Sequence, residues 1–335
     1  MGDDVLWRGP DGPAGRVLAG TNTYTGITSI LSGTLKHGVV NALPATTILH
    51  VGSTYDLNGF DQTVSSIGTS AGTITNTGSS ATLTDDEAST VSVGATITGD
   101  LNLVMNGTGT LTLAAGNTYT GATTVAQGTL QDGVANGLPA TTTLNVNTGA
   151  TFDLNGNDQT VASLGASVGT ITNNGSTGAT LTDNETGTST VVAALTDGTN
   201  HLNFTMNGPG TLTLGDADSY TGTTTVAQGT LVIANPGELG TSPVSVASSG
   251  KLDVEGGLTV SNTITDLAGK TTDTSGTDTW SSRVALDAAG GSIAAHSGAT
   301  LTLSGVVSGG DLTVGASGQT GPSSSRMPPT PSVAP

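Results

Sequence analysis

Apolar and polar residues alternate along this chain in short bursts. "GTLTL", "ATTVAQGTL", "TTLNV", "ATFDLNG", "QTVASLG", "GTITN" and "GATLTD" follow one another, each with four to six residues of two-residue period. That period puts successive side chains on opposite faces of a β-strand. Val, Thr, Ile and Leu favour strands, and the Gly, Asn and Asp that close each burst supply left-handed turn conformations. No window sustains apolar residues at i, i+3, i+4 and i+7, so the pattern predicts a chain of short strands with helices nearly absent.

The bursts belong to a longer unit. "TNTYTGITSILSGTL" (21–35) returns as "GNTYTGATTVAQGTL" (116–130) and as "DSYTGTTTVAQGTL" (218–231). Tyr24, Tyr119 and Tyr220 are 95 and then 101 positions apart. "STYDLNGFDQTV" recurs with Asp153 standing 97 positions after Asp56, and "MNGTGTLTL" (105–113) recurs as "MNGPGTLTL" (206–214). A fixed period of this kind marks a repeat architecture.

Two folds accommodate many short strands without helices. A sandwich domain of about 100 residues matches the period but wants a buried aromatic core, typically a Trp. Trp7 lies near the start and Trp280 near the end, outside the first two repeats. Small aliphatics with Thr and Asn fit the narrow interior of a solenoid, where like residues stack every ~4.8 Å. The expectation is an all-β, right-handed parallel β-helix (β-solenoid) of about 14 coils. Inward-facing apolar residues of "TLTL" and "TTV" would alternate with outward Thr, and the Asn and Asp of "DLNG" would sit at the corners.

Composition narrows the function classes. The 335 residues carry 25 acidic and 7 basic side chains, a net charge of −18, which disfavours nucleic acid and anionic membrane surfaces. There is no Cys, hence no disulfide or thiol chemistry. No run of ~18 apolar residues predicts a membrane-spanning helix. The opening "MGDDVLWRGPDGPAGRVLAG" lacks the basic start and apolar core of a signal peptide.

Several motifs invite chemistry. "GTSAG" (68–72) and "GASVG" (165–169) match the Gly-x-Ser-x-Gly nucleophile pattern. Neither precedes a helix, which that elbow requires, and Ser70 and Ser167 are repeat-equivalent, so turn residues are the better reading. His37, His50, His201 and His296 lack the paired spacing of a metal site and read as solvated or locally bonded. The acidic clusters at Asp85–Asp86–Glu87 and Asp183/Glu185 match no Ca²⁺ loop and read as turn residues. Trp280 with Arg283 nearby invites a sugar-stacking reading, but an ordinary strand position is the better one. Thr-x-Thr pairs raise an ice-binding reading, which needs one Thr ladder in register on every coil; the irregular coil lengths argue against it. No catalytic, cofactor-binding or metal-binding residue is assigned, and no enzymatic activity is expected.

At "GTGTLTLAAGNTYTGATTVAQGTL" the chain resembles the autotransporter-associated β-strand repeat of bacterial autotransporter passengers. "VIANPGELGTSPVSVASSGKLDVEGG" (232–257) continues that pattern, and "ATFDLNGNDQTVASLG" is similar to the rung that follows it. The resemblance covers roughly 21–314. It implies an exported β-helix at the cell surface or outside the cell, acting as a stalk or adhesin segment, with an outer-membrane translocator barrel outside this chain. The alternative is a carbohydrate-active enzyme or glycan-binding module on a β-helix, its host or glycan ligand unidentified. For the repeated phrase itself the choice is between a purely structural role and a distinct role in secretion. The expected division is an irregular leader (1–20), a solenoid repeat domain (21–314) and a disordered Pro/Ser-rich tail (315–335). The abrupt ending reads as a fragment or a reading-frame slip ahead of a fourth copy of the phrase.

Overall fold

The structure, a computed structural model, describes residues 5–8 and 15–316. Among them there is no helix, and the strands pair in parallel into stacked sheets that form a β-solenoid of about 15 turns, against about 14 expected. Two compact units are present. The first comprises the chain up to Asn184 together with Val191–Leu202; the second comprises Glu185–Thr190 and the chain from Asn203 onward.

In the first unit, neighbouring rungs place Leu49 beside Ile67 and Thr170 beside Ala194, so a coil takes between 18 and 24 residues. The interior is built of columns. Leu111, Leu130, Phe152, Ile171 and Leu195 stack in register, each fully buried. A parallel ladder satisfies each rung's backbone donors and acceptors through the rungs above and below, and the columns remove apolar area from water. The predicted alternation holds: in Thr110–Leu113 the leucines point in and the threonines lie at the partly exposed outer face.

The repeat and the coil are incommensurate. About 97 residues do not divide into whole coils, so equivalent phrases land in different sheets. Thr28–Ser32 belongs to a four-stranded sheet with Ile48–Val51, whereas its repeat-equivalent Thr123–Val125 belongs to a five-stranded sheet with Gln62–Val64. The repeated sequence must therefore work on any face of the solenoid, through contacts internal to the stack.

In the second unit, Thr224–Ile233 and Val244–Glu255 pair from Thr224/Val244 to Ile233/Val254, with one register shift between Val226 and Gln228. Lys270–Ser275 and Gly291–Ala295 continue that ladder, and Thr277–Trp280 stacks on Thr259–Val260.

Two expectations need correction. Aromatic residues do enter the core: Tyr55, Tyr119, Phe152, Phe204, Tyr220 and Trp280 are its largest fully buried side chains. Phe152 stacks in register between Leu130 and Ile171, so a ring takes the place of an aliphatic side chain in the same column. Within 1–20, Val5–Arg8 and Arg16–Leu18 are strands on the first repeat, because "VLWR" and "RVL" carry enough apolar residues to extend the ladder. Of the tail 315–335, all but the first two residues lie outside the described ones.

Candidate functional site

The feature that recurs with the repeated phrase is a chain of buried hydroxyls. Tyr119 Oη lies 2.5 Å from Thr123 Oγ1, which lies 2.9 Å from Thr142 Oγ1 in the next coil. Thr142 Oγ1 donates back to Gly121 O at 2.9 Å. Tyr24, Thr28, Thr47 and Gly26 repeat this chain at 2.5, 2.9 and 2.9 Å. Tyr220, Thr224 and Ser242 repeat it at 2.7 and 2.7 Å, and Ser242 Oγ donates to Leu239 O at 2.9 Å. The Asn that opens the phrase also crosses coils. Asn22 Nδ2 donates to Ala42 O and Asn117 Nδ2 to Gly137 O, both at 2.7 Å. Burial pushes the Tyr119 and Tyr220 hydroxyls well above the ordinary tyrosine range, although the bonds to Thr123 and Thr224 pull the other way. These phenols stay protonated, which is the form the chain uses.

The corners form a second recurring set. Asn58 and Asn155 adopt φ near +50°, a left-handed conformation that Asn tolerates. Asp56 Oδ1 accepts from Asn58 N at 2.9 Å, and Asp153 Oδ1 accepts from Asn155 N at 2.9 Å. Asn58 Nδ2 then donates to His37 O, and Asn155 Nδ2 to Asp132 O, one coil back. Gln62 and Gln159 each clamp the peptide groups of Leu43 and Leu138, accepting from N at 3.0 Å and donating to O at 3.1–3.2 Å. Burial tends to raise Asp56, but bonds from Lys36, Thr77 and Asn58 outweigh it and hold its carboxyl low.

A third set was not foreseen. Asp85, Asp132, Asp183 and Asp273 are fully buried and occupy inward positions of otherwise mainly aliphatic columns. Asp85 stacks between Val64 and Met105, which continues into Val125 and Val146. Burial, reinforced by the negative charge of Glu87, pushes its carboxyl up to about 7, with the Ile67 N–H partly offsetting this. Asp132 follows Val93 and Leu113, and neither of its oxygens has a hydrogen-bond partner. Burial, with Asp153 adding to it, drives that carboxyl well above its usual range. The turn-residue reading of Asp85 and Asp183 is thus corrected: parity decides, since Asp85 shares the face of Ala81 and Leu83 in Ala81–Asp85.

The remaining candidates fall into place. Ser70 Oγ accepts from Val51 N at 2.9 Å, and Ser167 Oγ accepts from Val146 N and donates to Leu144 O, both at 3.0 Å. Both serines are buried and tie one coil to the previous one. His37 is buried against Tyr55, whose hydroxyl bonds its Nε2, and burial lowers its pKa to about 4 despite Asp56. His201 is exposed, 3.7 Å from Asp197. Trp280 is fully buried, so it offers no face to a sugar, while Arg283 is exposed. A threonine column does exist: Thr90, Thr110, Thr129, Thr151 and Thr170 are in register on five successive rungs. The irregularity inferred from coil lengths is absorbed by the turns. The column two residues on carries Gln131 and a buried Asp153, so no flat two-column threonine face results. Two hollows of about 50 and 190 Å³ lie beside Glu238 and Asn262, and neither brings two carboxylates together. Among the described residues, no group of three or more His, Asp or Glu is placed to hold a metal ion. No helix among them is long and apolar enough to cross a membrane.

The fold and its cross-coil chains define a parallel β-solenoid repeat protein. The family model for the passenger-associated-transport-repeat matches residues 17–36, 103–131 and 204–233. The chain therefore carries three such repeats, consistent with an autotransporter passenger domain with repeats. No curated protein and no solved structure matches it.

Proposed function

We propose that this chain is a structural segment of a surface-exposed or secreted autotransporter passenger, a stalk or adhesin segment with 21–314 as its repeat domain. The observation that carries this reading is the hydroxyl chain from Tyr119 through Thr123 to Thr142, repeated at Tyr24 and Tyr220 within the three family matches. The polar side chains that recur with the repeat bond the backbone or side chains of an adjacent coil. Such residues build length. A passenger of this kind works with a translocator outside this chain, at the cell surface or in the medium.

The carbohydrate-active alternative needs two carboxylates about 5–9.5 Å apart in an open groove. Asp85, Asp132 and Asp183 are instead sealed in the interior.

Deleting residues 21–314 in frame from the intact surface protein tests the proposal. A stalk loses reach or display while purified protein shows no glycan turnover. Retained display with selective loss of binding to one glycan or host protein supports the binding-module reading instead.

A further inference from the structure

Asparagine followed by glycine is a chemically labile pair. The glycine nitrogen, with no side chain beside it, can close on the asparagine carboxamide. The chain holds six such pairs, beginning at Asn58, Asn106, Asn136, Asn155, Asn174 and Asn207. Closure needs a glycine N–H that is not already committed and a carboxamide that is accessible, and the structure separates the pairs on that ground. Gly59 N donates to Asn76 Oδ1 and Gly156 N to Asn173 Oδ1, both at 2.7 Å. Asn58 and Asn155 also commit their Nδ2, to His37 O and Asp132 O. Gly107 N donates to Asp85 O at 3.2 Å, and Asn106 Nδ2 to Asp86 Oδ1 at 2.7 Å. Asn207–Gly208 stands at the equivalent place in the next repeat. Gly175 N donates to Asn173 Oδ1 at 3.3 Å, and the chain there is packed so closely that a Cβ on Gly175 would stand 2.1 Å from Gly156 N.

Asn136–Gly137 differs. Asn136 is exposed, and among the described residues neither its Nδ2 nor Gly137 N has a hydrogen-bond partner. Its Oδ1 accepts from Thr160 N at 2.9 Å, which polarises the carboxamide and meets the charge that develops on that oxygen during attack. The flanks are pinned. Asn136 N donates to Asp158 O at 2.8 Å, Asn117 Nδ2 to Gly137 O at 2.7 Å, and Leu138 N to Gln159 Oε1 at 3.0 Å. The pair lies in the connection between Thr129–Asp132 and Leu144–Val146, so Asn136 can leave its φ of 51° without breaking a strand ladder. The first repeat supplies an internal comparison. Asn41 has a φ of 49° and the same N–H on its Oδ1, from Thr63 at 2.9 Å, but Ala42 follows it and its methyl hinders attack. Glycine is required at 137, because a Cβ there would stand 2.5 Å from Asp132 Oδ1.

We propose that Asn136 is a site of intramolecular deamidation in the folded protein, the one Asn–Gly pair that the solenoid leaves open to it. Gly137 N bonds to Asn136 Cγ, the Cγ–Nδ2 bond breaks, and the amide leaves as ammonia with the proton that Gly137 N gives up. One water then opens the resulting succinimide, leaving aspartate or isoaspartate. The isoaspartate product inserts a methylene into the main chain at this corner, and either product adds a negative charge there. This inference does not depend on where the protein is displayed or what it binds.

Storage of the folded full chain in mildly alkaline buffer tests it, followed by unfolding, peptic digestion in acid and peptide mapping by mass spectrometry. Peptides covering Asn136 are expected to show the mass change of amide-to-carboxyl exchange, with isoaspartate present, several-fold sooner than peptides covering the other five pairs. Asn41 is expected to stay intact. The same storage in urea removes the protection, so all six pairs are expected to react at comparable rates while Asn41 lags. A folded chain in which another pair outruns Asn136 overturns the inference. So does one in which Asn136 stays intact although it reacts in urea. Equal rates at all six pairs in the folded chain also overturn it, because the fold would then select none of them.

Discussion

Thr123 and Thr142, 19 positions apart in sequence, share a 2.9 Å hydrogen bond between their side-chain hydroxyls in the interior of the solenoid. Each belongs to a different coil, and both are fully buried. Tyr119 completes the first partner and Gly121 O the second, so no hydroxyl of the chain is left unpaired. A buried polar network is worth keeping only when it is fully satisfied. That condition explains why Tyr, Thr and the turn residues recur together and why single positions do not recur alone.

Replacing Tyr119 or Tyr220 by Phe keeps the ring packing and removes the hydroxyl. The residual threonine loses a partner inside the protein, so each change is expected to cost about 1–2 kcal/mol. Tyr24 is only half-buried, where water can take over, and Tyr24→Phe is expected to cost less. Urea denaturation of the three variants checks the order; an equal or larger effect at Tyr24 would count against the buried-network account.

Asp85 makes stability depend on pH. Its carboxyl titrates at about 7 in the fold and near 3.9 when unfolded, so the folded state binds the proton more tightly. Stability is therefore full below about pH 4, declines as pH rises through the window up to about 7, and stays reduced above it. The shift corresponds to a loss on the order of 4 kcal/mol. Asp132 acts in the same direction. Asp56, held low by Lys36 and Thr77, acts oppositely, and its contribution disappears only in stronger acid. Asp85→Asn should flatten the slope between pH 4 and 7 in denaturation midpoints measured along the pH series.

At the corners, Asn155 holds a left-handed backbone and bonds Asp132 O at 3.0 Å. Asn155→Gly keeps the conformation and loses one bond, whereas Asn155→Val meets backbone strain as well. The expected costs are about 1 kcal/mol and about 2–3 kcal/mol. Thermal melting of both variants separates strain from the hydrogen bond. Similar losses in the two would deny any role to the backbone angle.

Ser70 and Ser167 sit in nucleophile-like motifs but bond Val51 N and Val146 N. Ser167→Ala should lower the unfolding free energy by about 1–2 kcal/mol, read from denaturation curves, since Val146 N loses its partner in the interior. It should leave any ester hydrolysis by the preparation unchanged. A loss of hydrolysis with unaltered stability would restore the catalytic reading.

Much of this was legible in the residues. The two-residue period of "TLTL" set the strands, and "DLNG" announced its own corner because Asp–Asn contacts are local. Parity would have found the interior Asp85, as it lies on the face of Ala81 and Leu83. Other features depend on the coil length, which the sequence does not state. Thr142 cannot be recognised as the partner of Thr123 until coils of 18 to 24 residues bring them together. Trp280 was legible as an ordinary strand position, and its parity with Asp278 on the inward face of Thr277–Trp280 buries it. The migration of equivalent phrases between sheets follows from the mismatch of repeat and coil, which no single copy reveals.

The central claim is that the repeated phrase couples consecutive coils. A double-mutant cycle on Thr123→Val and Thr142→Val tests it most directly, because valine keeps the shape and removes only the hydroxyls. The predicted coupling energy is about 1 kcal/mol, the double variant losing less than the sum of the singles. Additivity within about 0.3 kcal/mol would contradict it: the hydroxyls would then act independently, and the phrase would recur for some reason other than joining one coil to the next.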